Sequence, residues 1–302
     1  MNRHDESILT DSDGNPVCNC GNRGSRPGER INMTRVRQRL DQLQDEGDLQ
    51  GAERMLDYWL AESRMIRDEI GEIEIENEYI GFFRKAGKGE EALKHADRAL
   101  LLIGQTGMEN SIIAATTRIN SATACVAFQQ TQRAWSLFNE ARNGYEALLK
   151  PEDSRLAGLY NNMGLAATEL GRYREAKELY EKALEIVTAV PGNEGDAAIT
   201  WLNMADLVHA EGEASHDEEK EILAAEQIDG LIDKAWTLLQ SLNPTRNDYD
   251  RFVCEKCAPV FGYYGYLDYE QQLSNRSSRP PKQSETNAAE DRTKGNAAND
   301  GT

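Results

Sequence analysis

Residues 161–186 read NNMGLAATELGRYREAKELYEKALEI. Apolar residues recur there every three or four positions before Gly171, and again from Tyr173 to Val187, which is the period of an amphipathic helix. Gly171 separates the two runs, where the C-terminus of a helix favours a residue that tolerates positive φ. Because the break is so short, the stretch predicts two antiparallel helices joined by a tight turn.

Small residues recur along the chain at a fixed spacing. Ala92 and Ala134 are 42 residues apart, and so are Ala134 and Ala176. The residue seven positions further on is small in each case, at Ala99, Ala141 and Ala183. Self-similarity at a fixed period predicts a solenoid in which each hairpin packs against the next one.

One repeat is longer than the others. Ala235 follows Ala183 by 52 residues rather than 42, so this unit carries about ten extra residues around 211–221. Gly212 corresponds to Gly171 of the preceding repeat and is therefore predicted to end its helix. The acidic residues after it are predicted to form a solvated loop. The role of the insertion stays open at this stage.

The spacing small–x11–small–x3–aromatic–x2–small resembles the tetratricopeptide repeat, and LGRYREAKELYEKALEI (170–186) is closely similar to its consensus. The resemblance covers about Met33 to Leu273. The repeat of this chain has a period of 42 residues, longer than the usual value of about 34 residues. In this it resembles the long-helix repeats of kinesin light chain and of bacterial signalling regulators. The resemblance implies an all-α fold, a right-handed α-α superhelix of about six helical hairpins.

The two ends of the chain lack this periodicity. We expect a flexible N-terminal segment at 1–32, the repeat array at 33–273 and a disordered polar tail at 274–302. The tail is almost free of large apolar residues, so it buries too little surface to offset the entropy cost of ordering.

The composition limits the classes of partner that the chain is expected to bind. The 302 residues carry a net charge of −18, which repels nucleic-acid phosphates and anionic lipid. No apolar run approaches the roughly 20 residues that span a bilayer, and no signal peptide is evident. Five cysteines in a chain of this length fit a reducing compartment. We therefore expect a cytoplasmic protein that binds neither nucleic acid nor membrane.

No motif predicts a cofactor, a metal or a catalytic site. The pairs Cys18/Cys20 and Cys254/Cys257 are far apart in the chain, and Cys254 and Cys257 fall at core positions of the repeat, so packing is favoured over zinc binding. His95 lies beside charged residues and is expected to be solvated. The array is accordingly expected not to be an enzyme.

Three asparagines occupy one slot of successive repeats. Asn120, Asn162 and Asn203 each stand two residues before the small residue of the first helix in a hairpin. Amides donate and accept hydrogen bonds, so a ladder of them could hold the backbone of an extended peptide, as the resemblance also implies; the alternative is that they cap or bridge helices. Further candidate contact residues are Asn161, Thr123, Leu165, Asp206 and His209.

The function predicted from the sequence is a non-catalytic scaffold that holds a protein or peptide segment in the concave groove of the superhelix. The resemblance implies that such a scaffold could act as a bacterial signalling regulator. The alternative is a structural or assembly protein that self-associates or organises a complex through its convex face. The sequence names neither the partner nor the oligomeric state.

Overall fold

The computed structural model describes residues 30–243 and 248–278, and all regular elements in these ranges are α-helices. They form six hairpins, as predicted. Cys18, Cys20, most of the 1–32 segment and most of the 274–302 tail lie outside the described residues. The helices are α1 (Met33–Asp45), α2 (Leu49–Ile66), α3 (Glu69–Lys85), α4 (Gly89–Thr106), α5 (Ile112–Ala127), α6 (Thr131–Leu148), α7 (Ser154–Glu169), α8 (Tyr173–Thr188), α9 (Glu194–Ser215), α10 (Glu218–Leu239), α11 (Asp248–Tyr263) and α12 (Leu267–Ser277).

The last and first described segments extend the ordered array slightly beyond 33–273. Helix α12 continues to Ser277, whose side chain is buried. At the other end, Asn32 caps α1 by accepting a hydrogen bond from the backbone N–H of Arg35. The backbone N–H of Ile31 donates to Asp68 Oδ2 at 2.8 Å. The repeat packing therefore includes residues on both sides of the predicted limits.

The turn inside each hairpin contains one residue in the left-handed conformation. It is a glycine in four hairpins, Gln129 in the third and His216 in the fifth. In the third hairpin, the N–H of Gln130 donates to the carbonyl of Cys125 at 2.8 Å. The same bond joins Arg172 to Ala167 in the fourth hairpin. This Schellman arrangement satisfies the last carbonyls of the first helix and reverses the chain.

Gln129 is one of two hairpin-turn residues, with His216, that adopt this conformation without being glycine. Its φ is +60° where the equivalent Gly171 has +69°, and a side chain in this region costs about 1 kcal/mol. We expect Gln129→Gly to raise the free energy of unfolding by about 1 kcal/mol, measured by urea denaturation. The reciprocal Gly171→Gln is the matched control and is expected to lower it by a similar amount; a loss of stability in Gln129→Gly would contradict the assignment.

The small residues of the repeat lie in the core. Ala92, Ala134 and Ala176 are fully buried, and so are the alanines seven positions after each of them. The aromatic position between these alanines is filled by Phe138 in the third hairpin and Tyr180 in the fourth, both with no exposed surface. The small and aromatic positions of the repeat are thus buried, as the spacing predicts.

The chain divides into two compact units, Met1–Leu179 and Tyr180–Thr302. In the first unit, helix α3 contacts α1, α2, α4 and α5, and α5 in turn contacts α6 and α7. The first helices of successive hairpins therefore lie side by side. In the second unit, α9 contacts both α10 and α11, and α11 contacts α12.

The insertion at 211–221 is helical rather than a loop. Helix α9 runs on to Ser215 and α10 begins at Glu218, so that each has 22 residues. Gly212 does not end its helix; it is buried within α9, and a Cβ added to it would lie 3.1 Å from the Cβ of Ala224. The prediction failed because a glycine that terminates a helix and a glycine that lets two helices approach look the same in sequence.

Candidate functional site

The predicted amide ladder is partly a bridge between helices. Asn120 of α5 donates from Nδ2 to Oδ1 of Asn77 in α3 at 2.9 Å. Asn77 Nδ2 donates to Thr117 Oγ1 at 2.8 Å and to the carbonyl of Ile73 at 2.9 Å. Asn77 thereby links α3 to α5, the first helices of two successive hairpins. Among the described residues no donor reaches Asn120 Oδ1, which stays available as an acceptor.

The row continues to α1 as an ion pair. Arg37 of α1 contacts Glu74 at 2.9 Å and Glu78 at 2.6 Å, both on α3. Burial lowers the pKa of Arg37, but its hydrogen bonds to Glu78 and Glu74 outweigh burial and raise it overall. Glu74, Asn77 and Glu78 share one face of α3 because they are three and four residues apart. We call Arg37, Glu74, Asn77, Glu78, Thr117 and Asn120 the polar row.

Helix α7, which contacts α5, carries further predicted residues. Asn162 occupies the slot of Asn120 one repeat later and is partly exposed, and within residues 30–243 and 248–278 its side chain makes no hydrogen bond. Asn161 and Leu165 on the same helix are also partly exposed. Thr123 of α5 donates to the carbonyl of Ile119 at 2.9 Å, so its hydroxyl hydrogen is already in use.

The other predicted residues belong to the second unit and are already engaged there. Asn203 is buried. Asp206 accepts a hydrogen bond from Tyr264 Oη at 2.7 Å, and Nε2 of His209 lies 2.9 Å from Tyr263 Oη. Burial raises the pKa of the Asp206 carboxyl, against the opposing effects of the Tyr264 hydrogen bond and of His209. The position of these residues relative to Asn120 and Asn162 stays a prediction.

An ion network around two buried glutamates lies on the opposite side of α3 and was missed in the sequence. Glu76, with 2% of its side chain exposed, contacts His95 Nδ1 at 2.5 Å and Arg64 Nη2 at 3.2 Å. Glu72 Oε1 accepts from Arg64 at 2.9 Å and from Arg98 at 3.0 Å. One feature of the sequence could have predicted this network: two glutamates four residues apart fall among the core positions of α3. A buried charge without a partner costs much free energy, so such glutamates are expected to be paired.

His95 is therefore not solvated, contrary to expectation. Its ring stacks on Tyr79 with centroids 4.2 Å apart, and Tyr79 Oη donates to Asp57 Oδ1 at 2.5 Å. The charged neighbours in the sequence are not its partners; the partner is Glu76 from the preceding helix.

The described cysteines pack in the core. Cys125, Cys254 and Cys257 are buried free thiols, so Cys254 and Cys257 occupy core positions, as the repeat register predicts. Burial raises the pKa of Cys257 to about 12, so this thiol is protonated at neutral pH. Within the described ranges, no three His, Cys, Asp or Glu side chains are grouped to hold a metal ion. None of the helices in those ranges has the length and apolarity needed to traverse a bilayer.

Comparison with known proteins supports the fold. Residues 155–216 match the family profile described as Tetratricopeptide repeat. The crystal structure of BtubC (BKLC) from P. vanneervenii is similar, with a TM-score of 0.57 and 22% identity over 66% of this chain and 79% of that one. A putative kinesin light chain from P. anserina, with nearly identical TPR-like repeats, matches with a TM-score of 0.53 and 18% identity over 66% of this chain and 94% of that one. No curated protein sequence matches significantly.

Proposed function

We propose that this protein is a non-catalytic scaffold that holds an extended protein or peptide segment. The proposal starts from a tetratricopeptide-repeat fold whose first helices carry side-chain amides with unused hydrogen-bonding groups. The segment would lie across α3, α5 and α7 of the first unit and bond to Asn120 and Asn162. The proposal rests on one observation: these two side chains keep unused hydrogen-bonding groups on neighbouring helices.

The spacing of the helices suits an extended chain. Packed helices are about 8–10 Å apart, and an extended chain advances about 3.3 Å per residue. Amides in the same slot of neighbouring hairpins therefore meet the peptide backbone about every three residues. Such contacts grip the main chain and leave side-chain specificity to other residues, for which Asn161 and Leu165 are the partly exposed candidates in α7.

The charge of the chain favours a neutral or basic segment. The net charge is −18, and the one arginine of the polar row is already paired with two glutamates. A strongly acidic peptide or a nucleic acid would meet repulsion without an unpaired cation in the row. Free thiols in the core are in keeping with a cytoplasmic location, and a role in signalling belongs to the same proposal.

The test is to select binding peptides from a displayed random library and to measure their affinity by fluorescence anisotropy. We expect Asn162→Ala to weaken binding about tenfold without changing the melting temperature, since its amide makes no hydrogen bond within the described part of the chain. Asn120→Ala is expected to weaken binding and also to cost about 1 kcal/mol of stability, because Asn77 loses its donor.

The control is Asn143→Ala, which removes an exposed asparagine from α6, a second helix. Its affinity and stability should equal those of the wild type. Selected peptides that bind Asn162→Ala and Asn120→Ala as tightly as the wild type would refute the proposed site. A mass that grows with concentration in light scattering, independent of both changes, would instead support the assembly role.

A further inference from the structure

The fifth hairpin is longer than the hairpin that packs against it. Helices α9 and α10 have 22 residues each, whereas α11 has 16 and α12 has 11. Tyr264 bonds Asp206, and Tyr266 donates to Asp229 Oδ1 at 2.6 Å. These bonds fix the α11–α12 turn at the level of Asp206 and Asp229. Beyond that level the surface of α10 is open, with Ile222 60% and Leu223 53% exposed.

An open cavity of about 400 Å³ lies at this end of the hairpin. Its floor is small and apolar, since Gly212 of α9 packs against Ala224 of α10. On α10 the lining residues are three, four and seven positions apart, which is one continuous helix face. We call this cavity the tip groove; it is lined by His209, Gly212, Glu213, Glu221, Ala224 and Ile228, together with Ala225.

The surroundings of the tip groove combine apolar and acidic groups. Ile222 is 60% exposed and Tyr263, which contacts His209, is 68% exposed. Glu213 of α9 and Glu221 of α10 both line the cavity. Between residues 211 and 226 the sequence has seven carboxylates and a single basic residue, Lys220.

We propose that the tip groove binds a basic amphipathic α-helix of another protein. The groove is the kind of surface that a solenoid hairpin buries against its neighbour, with a small floor and a helical period, but here no described hairpin occupies it. Apolar side chains of the ligand helix would enter between Gly212 and Ala225, while its lysines or arginines would face Glu213 and Glu221. A second copy of this chain, with its net charge of −18, is disfavoured by repulsion.

This site is separate from the polar row, because its residues belong to the second unit. It does not depend on the proposed peptide binding by Asn120 and Asn162. The two are separated experimentally by Asn162→Ala, which should leave binding at the tip groove unchanged.

The probe is a synthetic helical peptide of about 18 residues, five turns, with leucine on one face and lysine on the rest. A matched probe carries glutamate in place of lysine. We expect the full-length protein to bind the lysine peptide saturably in fluorescence anisotropy at low salt and to leave the glutamate peptide unbound.

Variants then locate the site. Glu213→Gln with Glu221→Gln should weaken binding about tenfold, whereas Glu218→Gln with Glu219→Gln, which removes the same charge outside the groove, should weaken it less than about twofold. Ala225→Trp, at an exposed position, fills the groove and should abolish binding without loss of helix content.

Four outcomes would overturn the inference: no saturable binding of the lysine peptide, equal binding of the glutamate peptide, equal weakening by the two glutamine pairs, or undiminished binding by Ala225→Trp. Doubling of the mass in light scattering, lost in Ala225→Trp, would assign the groove to a second copy of the chain and would also overturn it.

Discussion

Replacing Phe138 by alanine is expected to lower the free energy of unfolding by about 3–5 kcal/mol. Phe138 is fully buried in α6, four residues after the buried Ala134 and three before the buried Ala141. The ring fills the space that the two alanines leave between helices. Its removal forfeits the transfer free energy of the ring and opens a cavity that rigid helices close only in part. Urea denaturation followed by circular dichroism measures the loss.

Leu101→Ala is the matched control, since this leucine lies on α4 with 52% of its surface exposed. Its effect should stay within about 0.5 kcal/mol. If Phe138→Ala cost no more than Leu101→Ala, the repeat spacing would not describe the packing, and the interpretation of the fold from small and aromatic positions would be wrong.

Replacing Glu76 by alanine is expected to cost about 3 kcal/mol. The carboxylate is buried and joins Arg64 of α2 to His95 of α4. Without it, His95 loses its hydrogen-bond partner while its ring remains stacked on Tyr79. Arg64 retains its ion pair with Glu72 and is half exposed, so water can solvate its charge. The loss in free energy of unfolding therefore stays at the lower end of the range for a broken buried pair.

Glu178→Ala provides the comparison. Glu178 pairs with Arg174 at 3.7 Å on the surface of α8, and its side chain is 63% exposed. Surface pairs of this kind contribute about 0–1 kcal/mol. Equal urea midpoints for Glu76→Ala and Glu178→Ala would show that the network contributes nothing to holding the second hairpin together.

The sequence predicted some residues of the candidate site and not others. Asn120 and Asn162 were predicted because they share a slot of the repeat; both lie on first helices of the first unit, and their role in binding stays a prediction. Asn77 fills the neighbouring slot imperfectly, and its bonds to Thr117 and Asn120 depend on how α3 and α5 are rotated about their axes. Arg37 and Glu74 were missed for the same reason: no local pattern marks which charged residues face each other across two helices.

The sequence by itself determined the hairpins, the glycine turns such as the one at Gly171, and the buried alanines. These follow from the helical period and from backbone preferences at turns such as Gly171, which act between residues close in the chain. Only the tertiary structure decided that Gly212 is a contact between helices, that Glu76 is paired with His95 and that the tip groove is left uncovered. Those features depend on the rotation and relative length of helices that pack together, and such distances between distant residues are not encoded in any local spacing.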